Sequence, residues 1–131
     1  MSHYSKWFIR ISALYALLGA FLGSHMAGSK DYSMLPGHSH ILVVGWLSMF
    51  AYGIFYYVFP TPSMRKIAAV QAWTGIIGGT LMPVCFLAYS KYENGWTTGA
   101  FIGSASVLLV AFILFAVMVF FDKKLFAPKA R

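Results

Sequence analysis

Four long apolar stretches contain no Asp, Glu or Lys, and they take up most of the 131-residue chain. They run over about Trp7–Ala27, His38–Phe59, Ile67–Tyr89 and Thr98–Phe121. Each is long enough to cross a hydrocarbon core about 30 Å thick as a helix of about 20 residues. Buried strands would be much shorter, and a membrane barrel would alternate polar and apolar residues, which these stretches do not. The expectation is one all-α domain over residues 1–131, a polytopic membrane protein with four transmembrane helices. Composition agrees: 60% of residues are hydrophobic and 10% charged, against about 25% charged in an ordinary soluble domain. Those figures exclude a soluble enzyme, a disordered chain and a nucleic-acid module. The single Cys excludes a disulfide scaffold and a cysteine zinc cluster.

The charges give a direction. Lys6, Arg10, Arg65, Lys66, Lys123, Lys124, Lys129 and Arg131 fall on one side of the four spans, and only Lys30 and Lys91 on the other. The positive-inside rule then places both termini in the cytoplasm, in a membrane of the bacterial inner type. The net charge of +7 reads as topology and contact with anionic lipid, not as nucleic-acid binding. The first span has a basic start but no clean small-x-small cleavage site, so it reads as a retained helix. Gly19 and Gly23, Gly75 and Gly79, and Gly99 and Gly103 each have the small-xxx-small spacing that lets helices approach closely or offers a smooth wall to a flat cofactor.

Three of the four His gather at the outer side. His25 ends the first span, and His38 and His40 open the second after Pro36-Gly37. Neutral imidazole ligates haem iron, copper and zinc. Residues two apart on a helix lie about 200° apart, so His38 and His40 point to opposite sides and do not chelate one small ion in regular helix geometry. They suit two cofactors, or one cofactor in each of two neighbouring copies. Catalytic zinc lacks support, because Asp31 and Glu93 are the only outer carboxylates and both fall in loops. Cys85, Met26, Met34 and Met82 lie toward the same half, where packing is the default role and soft-metal ligation the alternative.

The stretch His38-Ser39-His40, continuing through Ile41–Tyr57 with Gly53 mid-helix and ending at Val58-Phe59-Pro60, resembles a helix of the catalytic subunit of haem-copper oxidases. In that family one His of the pair ligates the high-spin haem and the other the low-spin haem. The stretch is also similar to the family's second helix, whose opening His holds the low-spin haem, and either His38 or His40 can be aligned with it. The resemblance covers about 24 residues. Gly45 and Trp46 add a likeness to small four-helix relatives. The family's subunit has twelve helices in three arcs of four, so this chain resembles one third of it.

That resemblance implies a homotrimer with a b-type haem at or near each subunit boundary. Its axial ligands would be His38 of one copy and His40 of the next, or His25 as the second ligand. Trp46, Phe50, Tyr56, Trp73 and Phe86 are candidates to pack on the porphyrin. Lys30, Tyr32, Ser39, Lys91 and Trp96 are candidates for its propionates. The third and fourth spans hold no His for a copper site, and no span carries a carboxylate for a proton path, so a proton-pumping oxidase is not implied. Electron transfer with a quinol pool or an outer-side redox partner, or sensing of redox state or a gas, is the first expectation. Whether the chain is an enzyme stays open. Two alternatives stand beside it: a copper site of His25, His38 and His40 with Met34 or Cys85, and a cofactor-free accessory subunit.

Overall fold

A computed structural model of the chain describes residues 2–59 and 62–126. Four long helices account for nearly all of it, and no strand occurs among the described residues. They are α1 (His3–Ser29), α2 (Leu35–Val58), α3 (Arg65–Lys91) and α4 (Gly95–Phe121). At 27, 24, 27 and 27 residues, with an apolar composition, all four are fit to cross a membrane. At 1.5 Å per residue they reach roughly 36–40 Å, beyond the hydrocarbon core at each end. α1 and α3 run a few residues past their apolar stretches at both ends, and α2 and α4 start three residues before theirs. Pro60, Lys129 and Arg131, used in the motif and charge arguments above, lie outside the described residues.

The helix ends are specified locally. Ser2 caps α1 by accepting the Ser5 amide at 3.2 Å. Lys30 closes α1 in the left-handed region at φ 56°. Asn94 caps α4 by accepting from Trp96 and Thr97, while the Thr97 hydroxyl accepts the Asn94 amide, a capping box. The first turn of α3 has no local side-chain cap. Asp122, just past α4, supplies one from a distance, accepting the amides of Ser63 at 2.8 Å and Met64 at 3.2 Å.

Two antiparallel hairpins, α1–α2 and α3–α4, meet through α2 and α3. No Cα of α1 comes within 8 Å of α4 among the described residues, so the helices form an open arc rather than a closed bundle. Glycines set the closest approaches. A Cβ on Gly78 would lie 2.6 Å from the backbone nitrogen of Leu108, the tight crossing of α3 and α4. A Cβ on Gly45 would run into the Tyr15 ring at 2.4 Å, so α1 lays an aromatic directly on the backbone of α2. Gly19, Gly23, Gly75 and Gly79 are contact positions too, whereas Gly99 and Gly103 face open space.

The main core lies toward the end that carries the termini, built from Phe8, Met49, Tyr52, Tyr56, Ala68, Ala72 and Met118. Within it the Tyr56 hydroxyl lies 2.6 Å from Oε1 of fully buried Gln71 and 2.8 Å from the Ala68 carbonyl. Tyr15 donates across the arc to the Thr80 carbonyl. That carbonyl is in the turn before Pro83, which itself has no amide to give to α3.

Candidate functional site

The site is built at the opposite end, where α2 begins. Ser33 donates its amide to Asp31 at 2.9 Å, which turns the chain out of α1 and toward α2. The Ser33 amide and hydroxyl hold the Asp31 carboxyl below the usual carboxylate range, and nearby His25 adds to this. Pro36 sits in the first turn of α2, where its missing amide costs nothing. Gly37 follows, buried against α3: a Cβ there would meet Leu87 at 2.1 Å. Pro36-Gly37 thus starts the helix and presses its first turn onto α3.

His38 and His40 diverge as the 200° separation requires. His38 lies against α1, with its Cε1 3.0 Å from where a Cβ on Gly23 would be. The missing side chain of Gly23 makes the notch that holds this ring. The Nδ1 of His38 is buried and has no hydrogen-bond partner among the described residues. His40 turns to α3 and stacks on Phe86, with ring centroids 4.0 Å apart and planes tilted by 22°. Phe86 is itself braced by Phe101, which stacks on Tyr89.

The two imidazoles also differ chemically. Nδ1 of His40 lies 2.8 Å from the Pro36 carbonyl. A carbonyl only accepts, so Nδ1 carries the proton, and Nε2 of the neutral ring keeps its lone pair. Metal-ligating His are held in this way, with the far nitrogen tied to a carbonyl so that ring orientation and tautomer are fixed. Beside His40 is a cavity of about 290 Å³, open on one side and lined by Ser39, His40, Val43, Val44 and Met82. The Ser39 hydroxyl is already committed to the Leu35 carbonyl at 3.0 Å.

Immediately after His40, α2 widens into a π-helical stretch over Ile41–Ser48. Ser48 follows the same register, donating to the Val43 carbonyl five residues back at 2.8 Å. Such wide turns are uncommon and occur often at functional sites.

The remaining candidates are spread out. His25 is exposed on α1, and no group of three His, Cys, Asp or Glu side chains that would hold a metal ion occurs among the described residues. The three-His copper site is therefore not assembled in one chain. Tyr32 and Trp46 are exposed, and Met34 lines a different cavity with Asp31, Lys91 and Tyr92. Tyr56 belongs to the distant core, and Trp73 lines an apolar groove with Trp7 between α1 and α3. The Pro36 bond and the Gly23 notch were not foreseen. The one available signal was Pro36 four residues before His40, the spacing at which a side chain reaches back to a carbonyl on its own helix.

The chain matches no family model, no curated protein and no solved structure.

Proposed function

We propose that this chain is an integral membrane b-type haem protein that works in electron transfer, with His40 as the ligand to the iron. The observation that carries this reading is the pinned imidazole: Nδ1 is held by Pro36, the ring is stacked on Phe86, and the residue lines an open cavity. The residues present fit the group at His40. They do not offer His38 and His40 to one iron within a single chain, since the two rings lie against different helices.

Haem iron, when bound, supplies a one-electron couple whose potential is set by its ligands and surroundings. The chain supplies orientation through Pro36 and Phe86, and an apolar flank through Val43 and Val44. Tyr32 and Trp46, both exposed, remain available to a group held partly between copies. A homotrimer in the bacterial inner membrane with cytoplasmic termini fits the charge distribution. It also fits the arc, whose two outer edges and the open Gly99–Gly103 face are left without a partner in one copy.

The test is the absorption spectrum of the purified protein. A Soret band with sharp reduced α and β bands is the expected result, and a colourless preparation free of metal refutes the reading. His40→Ala abolishes the bands. Normal low-spin haem in that variant refutes the ligand assignment. A mass measurement in mild detergent that finds only monomer removes the trimer.

A further inference from the structure

Of the soft donors at this end of the molecule, Met82 lines the described cavity beside His40. Met26, on α1, is buried, Met34 lines another cavity, and neither Met26 nor Cys85 lines the His40 cavity. Met82 does, and it lies one turn before Phe86, the ring on which His40 is stacked. Val43 and Val44 offer no lone pair, and Ser39 is engaged with its own helix. The residues left along this apolar lining with a donor to offer are His40, through an imidazole nitrogen, and Met82, through its thioether.

We propose that Met82 is the thioether partner of His40, the pair forming a mixed imidazole–thioether site for a soft, low-valent metal. This rests on the reading of His40 as a ligand and names the group that completes it. A neutral thioether favours the reduced ion over the oxidised one, as does an apolar wall. Haem iron(II) and Cu(I) share this chemistry. The depression of about 290 Å³ is wide open to its surroundings, so both residues are reachable by an ion or by a larger group. Against a bis-imidazole centre, the pair sets a higher reduction potential.

The experiment uses the full-length protein in two arms. In the haem arm, haem content, the thioether-to-ferric charge-transfer band and the midpoint potential are measured. In the copper arm, haem-free protein competes with a chelator for Cu(I). Met82→Leu keeps volume and apolarity, so the fold is retained. The expected result is loss of the charge-transfer band and a lower potential with haem kept, or a Cu(I) affinity lower by about tenfold or more. Met82→His restores metal binding but with the lower potential of two imidazoles. If Met82→Leu matches the parent in both arms while His40→Ala loses the metal, the thioether assignment falls and the His40 reading stands. If His40→Ala also matches the parent, or no metal binds in either arm, both fall.

Discussion

The carboxylate of Asp122 holds Ser63 by both its amide, at 2.8 Å, and its hydroxyl. The same carboxylate takes the Met64 amide and that of Lys124, and the residue is only 4% exposed. One side chain thus ties the end of α4 to the start of α3, and satisfies amides that a helix start leaves open. The Ser63 hydroxyl bond is the main cause holding this carboxyl below its ordinary value of 3.8, with the backbone amides adding to it. A depressed folded-state value stabilises the fold above that ordinary value and stops doing so as pH falls through the lower one. Asp122→Ala lowers the thermal midpoint at neutral pH, and the gap to the parent closes in strong acid. Parallel melts in detergent at both pH values check this; a gap that stays constant with pH contradicts it.

Gly78 and Gly99 predict opposite outcomes for the same change. Gly78→Ala drives a methyl to within 2.6 Å of the Leu108 backbone, which cannot give way as a side-chain tip can. Overpacking of this kind costs about 1–3 kcal/mol. Gly99→Ala meets nothing within 4 Å, and because Ala favours a helix interior over Gly it keeps or slightly raises the single chain's stability. If Gly99 faces a second copy, its substitution lowers the detergent concentration at which the oligomer separates. Thermal melts and detergent titrations of the two variants distinguish these effects.

Phe86 carries no donor atom, yet it holds the ring proposed as the ligand. Phe86→Ala frees His40 to turn about its side-chain bonds. If His40 ligates a metal as proposed, affinity then falls about 10–100-fold, the usual range for loss of an outer-shell support. Phe86→Tyr keeps the stacking face and most of the affinity. Metal retention under competition by a chelator or by apo-myoglobin measures both.

Tyr56→Phe removes the hydroxyl that lies 2.6 Å from buried Gln71. The Gln71 Nε2 already has no partner, so the variant leaves the whole amide unsatisfied. The expected loss is about 1–3 kcal/mol. Pairing Tyr56→Phe with Gln71→Leu recovers part of it, because the second change removes the orphaned amide. Unfolding of the four proteins in mixed micelles completes the cycle.

Much of this architecture was legible because membrane spans are written in composition. Trp7–Ala27 and the three stretches after it have no acidic residue or Lys, and nothing but a long helix satisfies such backbone in lipid. The divergence of His38 and His40 was equally legible, since it follows from the helix repeat alone. Legibility stopped where packing between helices decides. That Gly23 would receive His38 and Phe86 would receive His40 depends on how α2 rotates against α1 and α3. His25 shares the depth of the other two in sequence, but α1 presents it outward, so depth did not mean proximity. The π-helical stretch over Ile41–Ser48 has no composition that marks it in advance. The remote cap by Asp122 pairs residues 59 apart and has no local signature.

Because α1 and α4 do not meet, the two edges of the arc are different surfaces. Copies that join the α1 edge of one to the α4 edge of the next join head to tail, and each contact repeats the same rotation. A ring closes only when that rotation divides a full circle, and the count of subunits is then a matter of wedge angle. Changes that tilt α4 on α3, such as a larger residue at Gly78, would alter how many copies a closed ring contains.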